Sequence, residues 1–439
     1  MSSRPPYGQT VAGNDWSSLD GRQPEVPRSV SVIIVHFEQH DDLARTLVAL
    51  EAQTHPATLT EIIVVDDGSK VAPTVPQGVR LIVQQDLGFR ASAARNAGAA
   101  AATGAVLCFL DADMMPEPGY VAAMVRLPAL APEAVTVGRR RHAELTGSTP
   151  GEPVAASIRL SDPDWLTEAY AASRDLLDSD ERSYRYLIGA VLACSAWFFD
   201  EIGGFDEGFT SYGGEDWEWA HRAWLAGAVF AHVPEAVAWH NGPDAAVRDE
   251  GDRARALQTK NRETLALLQL ISVPGARGLG LAAASPDVVV LVPAGEPAAV
   301  YRCVDSLLRA LPTAMVVVEP QFGDLFRHDS RVSDDRASVV DRNRTLVAAS
   351  RPFSVDRADL PGFAQALADA CARVGRGTLG EIVMSGSEDI ELVVTSSRAR
   401  VREQRWPDGP RWSTESLAVP LRGIEPGQGL AAYLGGWAD

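Results

Sequence analysis

Ala105 to Pro118 reads AVLCFLDADMMPEP, an apolar run that stops at two carboxylates, Asp111 and Asp113, one residue apart. A short apolar run bounded by a polar break reads as a buried parallel strand. The two acids then sit at its carboxyl end, where open α/β sheets bind ligands. Side chains alternate along extended chain, so both acids are expected on one side, able to serve one hard divalent cation and a phosphate-bearing ligand. A solvated strand-to-turn junction would carry the same residues, Pro116 included. The choice between the two readings falls to the rest of the chain.

Upstream, SVSVIIV (Ser29 to Val35) is a β-branched strand, and Asp41 to Gln53 places Leu43, Thr46, Leu47 and Leu50 at helical spacing. Glu61 to Val65 is a second strand, ending in Asp66-Asp67-Gly68-Ser69. Strand, helix and strand of these lengths imply a right-handed parallel crossover. A short third strand, Arg80 to Gln84, precedes GFRASAARNAGAAAATG, an Ala-dense helix that carries Arg90, Arg95 and Asn96 near its start. Position alone leaves Arg95 and Asn96 as either an exposed face or a nucleotide contact.

Composition limits the function. At 439 residues, two domains are expected, and 46% hydrophobic residues mark a globular chain. A formal net charge of -18 argues against a nucleic-acid partner, so an anionic nucleotide substrate needs compensation from a metal or Arg. Cys108, Cys194, Cys303 and Cys371 form no paired motif, which suits a reduced, cytoplasmic protein. No signal-peptide run and no transmembrane segment is apparent. Residues 1 to 28, rich in Pro, Gly and Ser without periodicity, read as a flexible tail or extended arm.

Taken in order, SVIIVHF, VVDDGS, ARNAG and FLDAD resemble the family-2 glycosyltransferases of the GT-A fold, over roughly Ser29 to Asn241. The resemblance implies a Rossmann-like mixed α/β sheet and a nucleotide-sugar donor. It implies base contacts from Asp67 with Asp66 and from the aromatic Phe37, further nucleotide contacts from Arg95 and Asn96, a ribose or water-mediated role for Asp111, and direct metal ligation by Asp113. The family usually has Pro and Tyr where this chain has Val35 and Phe37. A dehydrogenase is not indicated, because HFEQH stands where a Gly-rich dinucleotide turn would follow the first strand.

Further on, Ile202 to Gly214 (IGGFDEGFTSYGG) leads into EDWEWAHRAWLAG, whose Trp217, Ala220, Trp224 and Leu225 are expected to share the buried helical face. Glu215 and Asp216 then lie at the helix amino terminus, where its dipole favours ionised carboxylates. Such an acid facing a cleft meets the need of a general base, although first-turn charge is also ordinary capping. YGGEDWE resembles the acceptor segment of the galactosyltransferase and chondroitin-polymerase types. That likeness implies Asp216 as base, Glu215 as acceptor ligand, and Tyr212, Gly213 and Gly214 beside the acceptor. In VAWHNGPD, the likeness makes His240 a metal ligand with Asp113 and Asp111, for Mn or Mg. His36, His40, His55, His142, His221 and His232 read as structural.

Past Asn241 comes a charged, Leu-rich helix (244–270), a linker (271–286), and a C-terminal α/β domain (287–439) that reads as a degenerate GT-A-like copy. DVVVLV (Asp287 to Val292) matches the first strand, Val300 to Leu311 its helix, and Ala314 to Glu319 the second strand. DRASVVDRNRT (Asp335 to Thr345) stands beside FRASAARNAG, and FSVDRADLPGF (Phe353 to Phe363) beside LDADMMPEPGY. That register puts Asp356 at the place of Asp113 and Ser354 at that of Asp111. SGSEDIE (Ser385 to Glu391) is similar to YGGEDWE, and Pro407 falls near the place of His240. Such a copy has lost its metal site and suits packing, homodimer formation or acceptor positioning.

The expectation is an inverting, metal-dependent enzyme that moves a sugar from a nucleotide diphosphate, UDP before others, to a carbohydrate, lipid-linked or natural-product acceptor. The composition suits a GC-rich bacterial genome. The alternative is a catalytically silent nucleotide-sugar-binding or partner subunit.

Overall fold

The computed structural model describes residues 4–211, 213–243, 253–278, 285–336, 343–387, 389–424 and 430–435. The chain divides into two units, one of residues 1–267 with 405–410 and the other of 268–404 with 411–439.

In the first unit, β1 (Val30–His36), β2 (Thr60–Asp66), β3 (Arg80–Val83) and β4 (Val106–Asp111) pair in parallel. The first crossover runs through α1 (His40–Glu51), which buries Leu43, Thr46, Leu47, Ala49 and Leu50 against the sheet. α2 (Ala91–Ala101) crosses from β3 to β4, and its Gly98 shows why the helix is made of small residues. A Cβ at Gly98 would lie 2.3 Å from Ile33 Cγ2, so only a bare backbone fits that close to β1.

After β4 come β5 (Met114–Pro116), α3 (Tyr120–Leu130), β6 (Ala134–Ala143), α4 (Asp164–Ala172), β7 (Val191–Ser195), α5 (Ala196–Glu201), α6 (Glu215–Leu225), β8 (Val229–Asn241) and α7 (Arg253–Leu267). The sheet order is β3-β2-β1-β4-β7-β6-β8-β5. β7 runs antiparallel to β4 and β6, and β6 and β8 run parallel, so β1, β2, β4, β6 and β8 all end at the same edge. Every candidate acid or imidazole lies at that edge or on a loop facing it.

Two expectations change here. The amino-terminal stretch is no loose tail: Val11 and Leu19 are buried with Leu127, Leu130, Val229 and Ala231. The Asn14 side chain donates to Leu176 O (2.7 Å) and Phe230 O (2.9 Å) and accepts from Phe230 N (2.9 Å). Isolated anchors of this kind carry no periodicity, which is why the sequence pattern misses them. In α6, Trp219, Ala220, Ala223 and Trp224 are buried, whereas Trp217 and Leu225 are only partly so. The buried face is thus rotated from the expected one.

The second unit contains β9 (Val288–Leu291), α8 (Pro297–Ala310), β10 (Met315–Val317), β11 (Val332–Ser333), β12 (Thr345–Ala349), β13 (Phe353–Ser354), β14 (Leu379–Ser385), β15 (Glu391–Ser396), β16 (Ser413–Ala418) and β17 (Arg422–Gly423). Its main sheet runs β11-β10-β9-β12-β15-β14-β16. With β9 counted as the counterpart of β1, this is the order of the first unit, and each pair keeps its direction. β13 pairs antiparallel with β17, as β5 does with the last part of β8. The second unit is a topological repeat of the first.

The pairing corrects the expected register. Val106 lies opposite Ser195, and Thr345 lies opposite Ser396. Met114 lies opposite His240, and Phe353 lies opposite Gly423. On that frame Ser350 takes the place of Asp111, Pro352 that of Asp113, and Gly423 that of His240. Neither Asp356, Ser354 nor Pro407 does so. Ser385 and Glu391 flank the β14–β15 connection, so that acidic stretch does not correspond to α6. Glu388 and residues 337–342, part of the stretch likened to α2, lie outside the described residues.

Candidate functional site

At the edge of the first sheet, His36 and Asp66 are register partners, and both are fully buried. His36 Nδ1 lies 2.7 Å from Asp66 Oδ1, while His36 Nε2 accepts from the Gln39 backbone N–H at 3.2 Å. These partners fix the tautomer, with the proton on Nδ1. Asp66 also accepts from Ser69 N (3.1 Å) and Ser69 Oγ (2.6 Å). Asp66 is therefore an acid that shapes the turn.

Asp67 differs. Its Oδ2 accepts from Arg90 N at 2.8 Å, but its buried Oδ1 has no hydrogen-bond partner. Burial leads the rise in its pKa. A carboxylate oxygen in that condition has capacity for an N–H donor from a ligand. Phe37, 48% exposed, follows β1.

Asp111 closes β4, whereas Asp113 occupies the turn before β5, so the two acids do not simply alternate along one strand. Asp113 Oδ2 accepts from Gln39 Nε2 at 3.0 Å and lies 3.4 Å from His240 Nε2. Burial raises the Asp113 pKa, but hydrogen bonding and attraction from His240 outweigh it, and the net shift is downward. His240 shows the reverse balance: burial disfavours its charge, Asp113 favours it, and the pKa rises. His240 Nδ1 donates to Gly242 O at 3.3 Å, leaving Nε2 directed at Asp113. His142 Nδ1 donates to the same carbonyl at 3.1 Å, with its ring centroid 5.0 Å from that of His240.

An imidazole oriented by a backbone carbonyl and paired with a carboxylate is a donor set that fits Mn or Mg. Among the described residues no cluster of three His, Cys, Asp or Glu ligands is formed. The expected third ligand, Asp111, accepts from Arg95 through Oδ1.

Arg95 is 4% exposed and spans the cleft. Its Nη2 donates to Asp111 Oδ1 at 3.1 Å and its Nη1 to Glu215 Oε1 at 3.0 Å. Burial opposes the charge, but Asp111 and Glu215 overcome it and raise the pKa. The guanidinium also lies 5.3 Å from the Phe205 ring centroid. A Cβ at Gly189 would approach the guanidinium carbon to 3.2 Å, so Arg95 would have to give by a few tenths of an ångström. Asn96 grips the loop before α6, donating to Phe205 O (2.9 Å) and accepting from Phe205 N (2.9 Å). Both residues were expected at the nucleotide; the structure uses them to tie α2 to the α6 side of the cleft.

α6 begins after Gly213 and Gly214, both left-handed at φ +93 and +99. A Cβ on Gly213 would meet Glu263 at 2.7 Å, and one on Gly214 would meet Phe209 at 3.2 Å. Their smallness is thus accounted for by the chain itself, before any acceptor is considered. Tyr212 lies outside the described residues.

Glu215 Oε1 is held by Arg95, while Oε2 is buried with no hydrogen-bond partner. Asp216 accepts from Gly189 N at 3.2 Å through Oδ2 and from Trp217 N at 2.8 Å through Oδ1. Burial first and the neighbouring Glu215 second push its pKa up to about 7, against the pull of Gly189, Arg95 and Trp217. A carboxylate of that pKa can exchange a proton near neutrality. Gln39, His36 and Gly189 were not assigned to the site from sequence. The adjacency of His36 and Asp66 in the paired strands is the signal that finds the first two.

Residues 31–157 match the family model "Glycosyl transferase family 2", and residues 178–239 match "N-terminal domain of galactosyltransferase". A chondroitin synthase of Escherichia coli is 26% identical over 343 residues, 71% of this chain and 49% of the relative. A validoxylamine A glucosyltransferase of Streptomyces hygroscopicus subsp. limoneus is 31% identical over 224 residues, 46% of this chain and 49% of the relative. A hyaluronan synthase of Pasteurella multocida is 30% identical over 241 residues, 49% of this chain and 24% of the relative. The chain thus spans about half the length, or less, of these curated relatives. Among the described residues no helix is long and apolar enough to cross a membrane. Over residues 31–157 the chain is thus a relative of the family-2 glycosyltransferases, and over residues 178–239 of the galactosyltransferases, and the matched motifs meet at one sheet edge.

Proposed function

We propose that the first unit transfers a sugar, with inversion, from a nucleoside diphosphate donor to a hydroxyl acceptor, with Asp216 as general base. The observation that carries this reading is the placement of Asp216. Its carboxylate is held by Gly189 N and Trp217 N, has a pKa near 7, and is linked through Glu215 and Arg95 to Asp111 at the end of β4.

Asp67 Oδ1 accepts from the base of the nucleotide, and Phe37 lies beside the base. Uridine is the base we favour, from the resemblance to the family. Asp113 and His240 hold a divalent cation, with Gln39 keeping the Asp113 carboxylate in place. Such a cation, Mn or Mg, neutralises charge on a departing diphosphate. Glu215 Oε2 receives a hydroxyl of the acceptor, and Asp216 takes the proton of the attacking one. The acceptor oxygen forms its bond to the anomeric carbon as the bond to the diphosphate breaks, the electron pair leaving with the nucleotide. A single displacement inverts the centre.

The test is calorimetric titration of the full chain with UDP, GDP and dTDP, each with Mn and with a chelator. Metal-dependent binding of one nucleotide supports the donor site and names its base. No such binding for any of them overturns it in favour of a silent partner subunit. Turnover at the wild-type rate in Asp216→Asn overturns the base assignment alone.

A further inference from the structure

A half-open hollow adjoins the site. A cavity of about 210 Å³ lies between α4, the β6 segment Gly138–Arg140, Ile188, and His232 and Pro234 of β8. It opens where β6 and β8 slip register, between Gly138↔Val233 and Arg139↔Val237. It touches the proposed machinery on two sides. Ile188 precedes Gly189, the donor to Asp216, and Arg140 lies two residues before His142, the register partner of His240.

The walls are of two kinds. Leu166, Ile188 and the Tyr170 ring are apolar, and Tyr170 is stacked on His232 with centroids 3.7 Å apart. Arg139 and Asp162, paired at 3.5 Å, and Asp175 supply donors and acceptors. Beside the lining residues Pro163 and Leu166, Trp165 stands 43% exposed, its ring 6.4 Å from Tyr186, which is in turn 6.5 Å from Tyr170. A row of aromatics that ends in a large exposed ring, next to an Arg–Asp pair, offers a flat apolar face and directional polar groups together. Pyranose rings present that same combination, C–H faces and equatorial hydroxyls. The α4 wall also falls in 158–177, between the two family matches, so it is built by sequence outside both.

We propose that this cavity and the Trp165 shelf bind a sugar ring of the acceptor beyond the hydroxyl that reacts, making the acceptor a carbohydrate. The inference rests on the glycosyltransferase reading for its link to transfer, but the binding surface stands by itself. The experiment applies the full chain, with UDP and Mn, to an array of immobilised oligosaccharides, comparing wild type with Trp165→Ala and Leu166→Trp. UDP–Mn affinity is measured in parallel by calorimetry. The expected result is a defined glycan signal that falls tenfold or more in both variants while UDP–Mn affinity is unchanged. Trp165 is exposed, so its replacement keeps the test valid should the cavity-filling Leu166→Trp chain fail to fold.

UDP–Mn binding with no glycan retained by the wild type, or glycan binding retained in Trp165→Ala, overturns the carbohydrate subsite and leaves the donor reading standing. Glycan binding that depends on Trp165 in a protein that binds no UDP supports the subsite and overturns the donor reading instead.

Discussion

At the carboxyl ends of β1, β2 and β4 the chain presents His36, Asp66-Asp67 and Asp111, with Asp113 in the turn beyond. Beyond their counterparts β9, β10 and β12 it presents Val292, Glu319 and Ser350, with Pro352 in the corresponding turn. The strands themselves hardly differ in character: Val289, Val290, Val316 and Val347 are as buried as Ile33, Val64 and Leu110. Sheet order is thus maintained by apolar burial, whereas the chemistry depends on a few residues where the strands stop. The larger loss is an element. Residues 196–228 connect β7 to β8 and contain α5 and α6; residues 397–412 connect β15 to β16 and contain only the helix Ser397–Arg405. Among the described residues the repeat has no counterpart of the helix that carries Glu215 and Asp216.

The contrast can be broken at several points. The largest effect is expected from Asp216→Asn, which removes the base and should lower the turnover number by roughly 10²–10⁴, with UDP–Mn affinity nearly intact. Steady-state kinetics beside calorimetry checks both halves. His240→Ala should weaken metal-dependent UDP binding by about 10–100-fold. An unchanged Mn dependence would make His240 structural, no different in kind from Gly423.

The pH profile sharpens the same contrast. Asp216 must be deprotonated to accept a proton, and its pKa is pushed up to about 7. The rate at saturating substrate should therefore climb as pH rises through about 7 and level off above it. Metal affinity should fall on acidification, because Asp113 raises the pKa of His240 and so helps a proton compete for Nε2. Leu19→Ala, which opens a space beside Val229 and Leu127, should cost about 2–5 kcal/mol of first-unit stability by denaturant titration. At the small end, Asp356→Ala should leave transfer unchanged, although Asp356 occurs in the sequence segment most like the Asp111–Asp113 motif. Loss of activity there would restore the rejected register.

Much of the first unit was legible because its strands are continuous apolar runs that end in charge. Asp67 and Asp113 were singled out just past such runs, whereas Asp216 and His240 were singled out by the helix start after Gly213-Gly214 and by the family resemblance. Arg95 and Asn96 were identified, but their ties to Asp111, Glu215 and Phe205 were not, since sequence gives no direction for a side chain on an Ala-rich helix. The amino-terminal arm was missed because Val11, Asn14 and Leu19 are single anchors without a period. The register of the repeat went astray by four residues at the acid pair because similar acids drew the alignment, whereas the structure is held by the pairing of Thr345 with Ser396 and Phe353 with Gly423.

Arg95 has one further effect. A single buried cation serves two counter-charges, Asp111 from β4 and Glu215 from α6, so each acid is insurance for the other. Replacing either one leaves the guanidinium half-neutralised; replacing both strands it in the interior. Thermal unfolding of the two single variants and the double variant should therefore form a non-additive cycle, with the double loss exceeding the sum of its parts. Loss of both acids is then the costly change, and a lineage that loses one puts the other under stronger selection.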